Sequence, residues 1–392
     1  MRKKVPPKVD EAIETLNMKD GPTRRRLLEG TGLVSASAAA AALITACGSS
    51  STGAKAASNT VGNFPKTPKW QFWFVNHVYT NPFFVPTQYG FQDAAALLGL
   101  PTPKWGGSAS TSSVSQMVSY LNTAVSAKAA GIATTVISAT GFTTPVKNAM
   151  NAGIPVVSYN ADGAVSPSGV ATIGTNRLAY IGQALYTSGQ QLGNKILSEV
   201  TSGEIVIFIA TPGTGNIQPR SSGAQAVIKA SGKPIKVTQI ATGAATSAEL
   251  PAEKAFLLGH KNIKGAYAVD AGSTQFLGQA LTAAGLAGKI PAGGFDLTPT
   301  TLNAIKSGLI DFTIDQSPYQ QGFLPVLSLY LFRLSGGLVH PSDTDTGLTF
   351  VTKDTVGPYL STPSRFEGST TAQTLIPLPS GPIKSPIATT ST

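Results

Sequence analysis

From Trp70 onward the chain alternates short β-rich apolar runs with longer stretches whose apolar positions recur at helical spacing. The pattern predicts strands over residues 70–76, 134–138, 155–160, 204–211, 236–241, 266–270, 293–296 and 312–316. Between them it predicts helices over 84–98, 113–130, 144–152, 178–199, 222–230, 274–284, 300–307 and 320–334. Gly99, Gly131, Gly153 and Gly285 follow helical stretches, where glycine accepts the left-handed stop. The run Ile205-Val206-Ile207-Phe208-Ile209-Ala210 lacks polar alternation, as expected of a parallel strand covered on both faces. Strand, helix, strand, repeated this often, predicts an α/β fold of doubly wound parallel sheets. A body of about 300 residues exceeds one comfortable hydrophobic core, so two lobes are expected.

The N-terminal stretch follows another logic. Thr23-Arg24-Arg25-Arg26-Leu27-Leu28 precedes an apolar, alanine-rich run from Gly30 to Ala46. That run is too short for a lone bilayer anchor, which needs roughly 20 apolar residues, and its positive, apolar, small-residue order is that of a cleaved export signal. Arg24-Arg25 suits the twin-arginine route, and the same cluster serves the general route as its positive region. Leu43-Ile44-Thr45-Ala46-Cys47 resembles the bacterial lipoprotein box. Residues 1–46 are therefore expected to be a signal peptide, Cys47 to carry a lipid, and 47–69 to be a flexible linker beginning with Gly48-Ser49-Ser50-Ser51-Thr52-Gly53. The expected location is the periplasm or the outer face of the cytoplasmic membrane.

Charge and cysteine content narrow the chemistry. The chain has 29 Lys and Arg against 19 Asp and Glu, for a formal net charge of +10. Without residues 1–46, 21 basic and 14 acidic residues remain, a balance of +7. The basic residues are scattered rather than clustered on a face, so no nucleic-acid partner is expected. A single cysteine excludes an intrachain disulfide and a Cys-based metal site, and neither metal nor cofactor is expected. Gly213-Thr214-Gly215-Asn216 lacks the Gly-Lys-Ser/Thr of a phosphate loop, and no Gly-x-Ser-x-Gly elbow occurs. Asp270 with Asp296 is the one plausible carboxylate pair for glycoside hydrolysis, a remote alternative.

Ligands of open α/β sheets sit beyond the carboxyl ends of the strands, where loops converge. There the chain places Asn76-His77, Asn81-Pro82-Phe83-Phe84, Ser138-Ala139-Thr140, Asn160-Ala161-Asp162, Arg220, Asp270, Phe295-Asp296 and Gln316. Carboxylates, amides and a guanidinium fork suit a hydroxyl-rich ligand, and flat rings cover the apolar C–H faces of a carbohydrate. Competing roles exist for several of them. Phe83, Phe84 and Phe295 also fit a core, Asp270 and Asp296 a helix cap, and Arg220 a solvated helix charge. His77 has no serine partner and no histidine at metal spacing, so a structural role is expected for it.

Over roughly residues 70–352 the chain resembles the ribose-type (type I) periplasmic binding proteins, the solute receptors of bacterial sugar importers. The segments that carry the likeness are NPFF at 81–84, AGIPVVSYN at 152–160, TIGTNR at 172–177, RSSG at 220–223, GFDLTP at 294–299 and TIDQSPYQQG at 313–322. Each is weak alone, and the order and spacing make the set specific. The resemblance implies two lobes joined by three crossings, near Thr175, Gln316 and Pro341, which close on a monosaccharide or polyol. The N-terminal lobe would comprise 70–174 with 317–340 and the C-terminal lobe 175–316 with 341–360. Residues 361–392, rich in Ser, Thr and Pro, would be a disordered or surface-draped tail.

The same resemblance assigns roles. Asn81, Phe83 and Phe84 match the loop after the first strand, with the phenylalanines as sugar plates. Ser138 stands at a polar contact, Arg220 at the arginine that grips ring and hydroxyl oxygens, and Asp270 at a binding Asn or Asp. Phe295, Asp296 and Gln316 match a second plate, a carboxylate and a hinge amide. The ribose-type pattern has an Asp-Arg pair where this chain has Asn160-Ala161, with Asp162 following. Losing that arginine forfeits a charge-assisted contact of about 1.5–3 kcal/mol, which argues against ribose itself. The implied partners are a membrane permease with a separate ATPase subunit, since the chain has no nucleotide-binding motif, and the membrane through the lipid. A monomer is expected. A receptor handing a signalling sugar to a membrane sensor is the main alternative, whereas a repressor of this fold would carry a helix-turn-helix where this chain has an export signal.

Overall fold

The apolar runs assemble into two parallel-dominated sheets in the computed structural model, which describes residues 65–165, 171–173, 175–361, 365–366 and 371–375. The expected export signal, Cys47 and the expected linker as far as residue 64, together with Gly174 and the end of the expected tail, lie outside the described residues. The first sheet contains β1 (Phe72–Asn76), β2 (Lys104–Gly107), β3 (Gly131–Val136), β4 (Val156–Val165), β5 (Ala171–Ile173), β6 (Tyr180–Gly182) and β12 (Thr344–Asp345). Its order is β12-β6-β4-β3-β1-β2, all parallel, with β5 antiparallel on β4. The second contains β7 (Gly203–Ile209), β8 (Ile235–Ala241), β9 (Gly265–Ala268), β10 (Ala292–Phe295), β11 (Phe312–Asp315) and β13 (Thr349–Thr352), in the order β13-β11-β10-β9-β7-β8. Only β13 there is antiparallel.

Helices cover both faces of each sheet, as the continuous apolar strands require. On the first, Phe91 of α1 (Val85–Leu97) and Leu329 of α9 (Gln320–Leu334) join Phe74 and Tyr159 in one core. Leu121 of α2 (Val114–Ser126) and Val146 of α3 (Thr143–Asn151) meet Ile132 and Val156 on the other face. On the second sheet, Ile205 and Ile207 pack with Leu192 of α4 (Leu185–Glu199) and Ile228 of α5 (Gln218–Ala230). Val206 and Phe208 face the opposite core, with Leu257 of α6 (Thr246–Gly259), Leu277 of α7 (Ala271–Ala284) and Ile305 of α8 (Pro299–Lys306). Alternate residues of one strand thus serve two buried faces. The short α10 (Gly357–Ser361) adds Tyr359 and Leu360 to that last core.

Several expectations shift. The helix expected over 178–199 begins only at Leu185, because Tyr180 and Ile181 pair with Ser158 and Tyr159 of β4. The first sheet therefore extends past Thr175, and the chain leaves it after Gly182. It returns to that sheet once more at β12, so the third crossing follows Asp345 rather than Pro341. Local pattern favoured a helix at 178–184, and the open edge of β4 decided for a strand. The strand expected over 134–138 forms earlier, at β3. The short β5, β12, β13 and α10 had no expectation, and neither did β2 or α6: β2 is Lys-Trp-Gly-Gly, and α6 carries Pro251 and two buried glutamates on its inner face. Part of the expected tail lies on the first lobe, where Arg365 Nε donates to Asp93 Oδ2 at 2.8 Å and Phe366 meets Tyr319 edge-on.

One glycine contact sets the position of the site. Gly189 of α4 crosses the start of α5 so closely that a Cβ there would lie 2.1 Å from the Arg220 carbonyl oxygen. Without side-chain bulk at that crossing, α4 fixes where the first turn of α5 presents Arg220.

Candidate functional site

The carboxyl ends of the two sheets face each other across a cleft of about 470 Å³. From the first lobe, Asn81 accepts a hydrogen bond from the Phe83 amide at 2.9 Å and caps a short turn, Pro82–Phe84, whose proline presets its geometry. That turn presents a half-buried Phe83 and a buried Phe84 to the cleft, their rings 4.7 Å apart and edge-on. His77 stands behind Phe84 at 5.3 Å. Asn160, at the bend in β4, adopts φ +61°, a left-handed conformation that Asn tolerates better than most residues.

The second lobe supplies the charged pair. Arg220 is 2% exposed; its Nε donates to Gln183 Oε1 at 3.1 Å and its Nη1 to the Val269 carbonyl at 3.0 Å. Its guanidinium lies 4.3 Å from the Phe295 ring centroid, and Nη1 is 3.9 Å from Asp296 Oδ2. Asp296, at φ +78°, accepts from Gln316 Nε2 at 2.5 Å through Oδ1. Burial is the dominant influence on both charges: it raises the Asp296 carboxyl and lowers the Arg220 guanidinium, and their mutual attraction only partly offsets it. The 3.9 Å separation leaves room for a ligand hydroxyl to donate to Oδ2 while accepting from the guanidinium.

The three crossings meet at this pair. Gln183, in the first crossing, holds Arg220 and donates to the Gly347 carbonyl of the third at 3.2 Å. Gln316, in the second, holds Asp296, and the Thr346 hydroxyl of the third donates to its carbonyl at 2.7 Å. Asn160 Nδ2 donates to Gln321 Oε1 at 3.0 Å, and Gln321 Nε2 donates to Gln316 Oε1 at 3.0 Å. A network of amides thus joins the connecting segments to the groups positioned to grip a ligand.

The lobes also touch beyond the hinge. Gly215, after β7, packs against β4 so closely that a Cβ would fall 1.7 Å from the Gly163 carbonyl oxygen. His77 Nε2 lies 3.5 Å from Asn216 Nδ2 across the lobes, and its Nδ1 lies 3.2 Å from Thr135 Oγ1. Burial lowers His77 to about 4, so the ring is neutral at ordinary pH.

Most of the expected site converges here: Asn81, Phe83, Phe84, Asn160, Arg220, Asp270, Asp296 and Gln316 all line the cleft. Phe295 does not. It is fully buried in the second-lobe core and serves as the floor under Arg220, whereas Asp296 leaves the strand at φ +78° and lines the cleft. Ser138 is also outside the cleft lining, and its hydroxyl accepts from the Gly141 amide at 3.2 Å within its own turn. Asp270 reaches the cleft while capping α7: it accepts from the Ser273 and Ala210 amides, both at 2.9 Å. Asp162 is held by Arg177, whose Nε donates to it at 2.9 Å, and does not line the cleft.

His77 keeps a structural place behind Phe84 and against Thr135 while also lining the cleft, and Asn216 had not been anticipated as a site residue. The position of His77 immediately after β1 was the available signal. Among the described residues no group of three His, Cys, Asp or Glu side chains is placed to hold a metal.

Residues 72–332 match the family described as periplasmic binding protein domain. The chain is 48% identical over 318 residues to the xylose/arabinose-binding protein XylF of Sulfolobus acidocaldarius, an alignment covering 79% of this chain and 78% of that protein. It is 25% identical to the D-allose-binding periplasmic protein of Escherichia coli, over 67% of this chain and 84% of the relative. The crystal structure of an ABC transporter solute binding protein from Burkholderia graminis, in complex with D-arabinose, superposes with a TM-score of 0.66. That match is at 26% identity and covers 76% of this chain and 99% of that one. Two of these relatives are named as sugar-binding proteins and the third as a transporter solute binding protein; none is named as an enzyme. A two-lobed parallel fold, a cleft of polar and aromatic groups at its strand ends and these matches have one common reading: the chain belongs to the periplasmic binding protein family, among its type I sugar-binding members.

Proposed function

We propose that this protein is the substrate-binding lipoprotein of an ABC importer, capturing an aldopentose of the xylose or arabinose type between its lobes for delivery to a membrane permease. The observation that carries the sugar reading is the buried Arg220 and Asp296 pair, 3.9 Å apart, at the floor of an otherwise polar and aromatic cleft. Hydroxyl groups satisfy such a pair, and Phe83 and Phe84 cover the apolar face of a ring. The pentose preference rests on the 48% identical relative named for xylose and arabinose. ATP hydrolysis falls to a separate subunit of the permease. Cys47 is the proposed lipid attachment point, and mass spectrometry of membrane-extracted protein tests it: a mature chain retaining Met1 removes the anchor.

Calorimetry of the mature chain with D-xylose, L-arabinose, D-ribose, hexoses and the matching alditols tests the ligand class. Saturable binding of a pentose is expected, and a protein that binds only hexoses or alditols overturns the pentose assignment. Capture works through hinge closure in this reading, since a ligand touching both lobes shifts the population toward the closed form. Gly215→Ala places a methyl group against the Gly163 carbonyl of the other lobe. It is expected to weaken sugar binding by about ten-fold, roughly 1.4 kcal/mol, with little change in the unfolding midpoint. Unchanged affinity would show that the contact at Gly215 is not needed for capture.

A further inference from the structure

The cleft extends well beyond the Arg220 and Asp296 pair, and strand order shows in which direction. The hinge borders the sheets at β6, β12, β11 and β13. At the opposite edge the outermost strands are β2 in the first lobe and β8 in the second, and the loops that follow both of them line the same cleft. After β2 come Ser110, Thr111 and Ser112; after β8 come Thr246 and Ser247, with Glu249 one turn further along α6. None of the five hydroxyls makes a hydrogen bond with the protein among the described residues, although Ser112 is held at φ +52°, an unfavourable conformation for serine. Glu249 is 3% exposed, sits against the Cα of Gly272, and has one carboxyl oxygen without a partner. Burial, with Asp270 nearby, pushes Glu249 up to about 9, so it presents an uncharged acid group at neutral pH.

Clefts of about 300–1,000 Å³ hold drug-sized ligands, which are larger than one pentose ring; this one is about 470 Å³. Arg220, Asp296 and Gln316 are tied to the connecting segments, Phe83 and Phe84 stand on the loop after β1 beside β2, and beyond them the loops after β2 and β8 offer hydroxyls from both lobes. We infer that the hydroxyl-lined end of the cleft, between the loops after β2 and β8, is a second sugar subsite, and that the protein accepts a pentose disaccharide with its outer ring held there. Hydroxyl side chains both donate and accept, which suits the exposed outer ring of a glycoside better than a fixed charge does. A disaccharide would touch both lobes at two places and so favour closure more than a monosaccharide does.

This inference rests on the sugar-receptor reading, and the test separates the two. Calorimetry on the mature chain would compare D-xylose with xylobiose, in wild type and in the double variant Thr246→Val with Ser247→Ala. The expected result is that xylobiose binds wild type at least as tightly as D-xylose. The double variant is then expected to weaken xylobiose by about ten-fold or more while D-xylose stays within about two-fold, with circular dichroism confirming the fold. If D-xylose binds and xylobiose does not, or if the variant affects both sugars equally, the subsite is overturned and the monosaccharide receptor stands. If neither sugar binds wild type, both readings fall together.

Discussion

Asp296→Asn is expected to weaken sugar binding by about 2–4 kcal/mol, combining a lost charge-assisted bond with ligand hydroxyls buried unpaired. The substitution keeps the side-chain shape and a residue type that accepts the φ of +78° found here, so the fold should survive. It removes the carboxylate 3.9 Å from the Arg220 guanidinium, leaving that buried cation only the more distant attraction of Asp270. The companion change Arg220→Lys is expected to weaken binding as well, because an ammonium on a flexible stem cannot donate to Gln183 and Val269 while stacking on Phe295 and keeping N–H groups for the ligand. Calorimetry with the best pentose reads both. A folded Asp296→Asn protein within about three-fold of wild-type affinity, less than 1 kcal/mol, would exclude the carboxylate from the ligand contacts.

Thermal stability should peak at mildly acidic pH and fall as the solution becomes alkaline. Glu249 and Glu253, one turn apart on α6, are 3% and 0% exposed, and both Glu253 carboxyl oxygens lack a partner. Burial first, then Asp270, raises both groups, with Glu249 moved from 4.5 to about 9 and Glu253 well above its ordinary value. An acid whose folded value is raised contributes its full stability below the unfolded value, near 4.5, and loses it as pH climbs toward the folded value. Each acid held protonated therefore lowers stability by roughly 1.4 kcal/mol per pH unit across that window. His77 acts in the opposite direction: buried and lowered from 6.5 to about 4, it destabilises the fold as pH drops through that interval, when the unfolded chain takes up a proton. Above about pH 4.5 the two acids outweigh the one histidine, so these groups together place the maximum near pH 4.5. Glu253→Leu removes one buried acid one turn before the buried Leu257 on α6, and at pH 7 should stabilise by about 3 kcal/mol. Unfolding scans from pH 5 to 9 decide the matter: a variant with wild-type stability and an unchanged pH slope would falsify the role given to Glu253.

The strands whose both faces are buried were legible in the sequence because a single local feature, continuous apolar character, marks them. Ile205 to Ile209 is the clearest case. The rule that ligands meet the carboxyl ends of parallel strands then located Asn81, Asn160, Arg220, Asp296 and Gln316 before any contact was known. Elements whose identity depends on a neighbour were not legible. Tyr180 to Gly182 pairs with β4 although its local pattern continues a helix. Lys104 to Gly107 is a strand because β1 offers an edge, not because its residues favour one. α6 escaped notice because its inner face carries Glu249 and Glu253, carboxyls that break the apolar periodicity and become uncharged only on burial.

The same division holds within the site. Residue type and position after a strand determined that an arginine, carboxylates, amides and aromatic rings would assemble at one end of two sheets, and that they would suit hydroxyl chemistry. Which neighbour faces the cleft was decided by tertiary structure alone. Phe295 and Asp296 are adjacent, yet one supports Arg220 from the core and the other meets the cleft, since Phe295 ends β10 within the packed sheet and Asp296 turns out of the strand at φ +78°. Ser138 and Asp162 have the chemistry of ligand contacts but spend it on Gly141 and Arg177, while His77 and Asn216 become neighbours only because the lobes meet at Gly163 and Gly215. Sequence fixes what a side chain can bond to, and the packing of two lobes, by deciding which bonds are already made within the protein, leaves the remainder for the ligand.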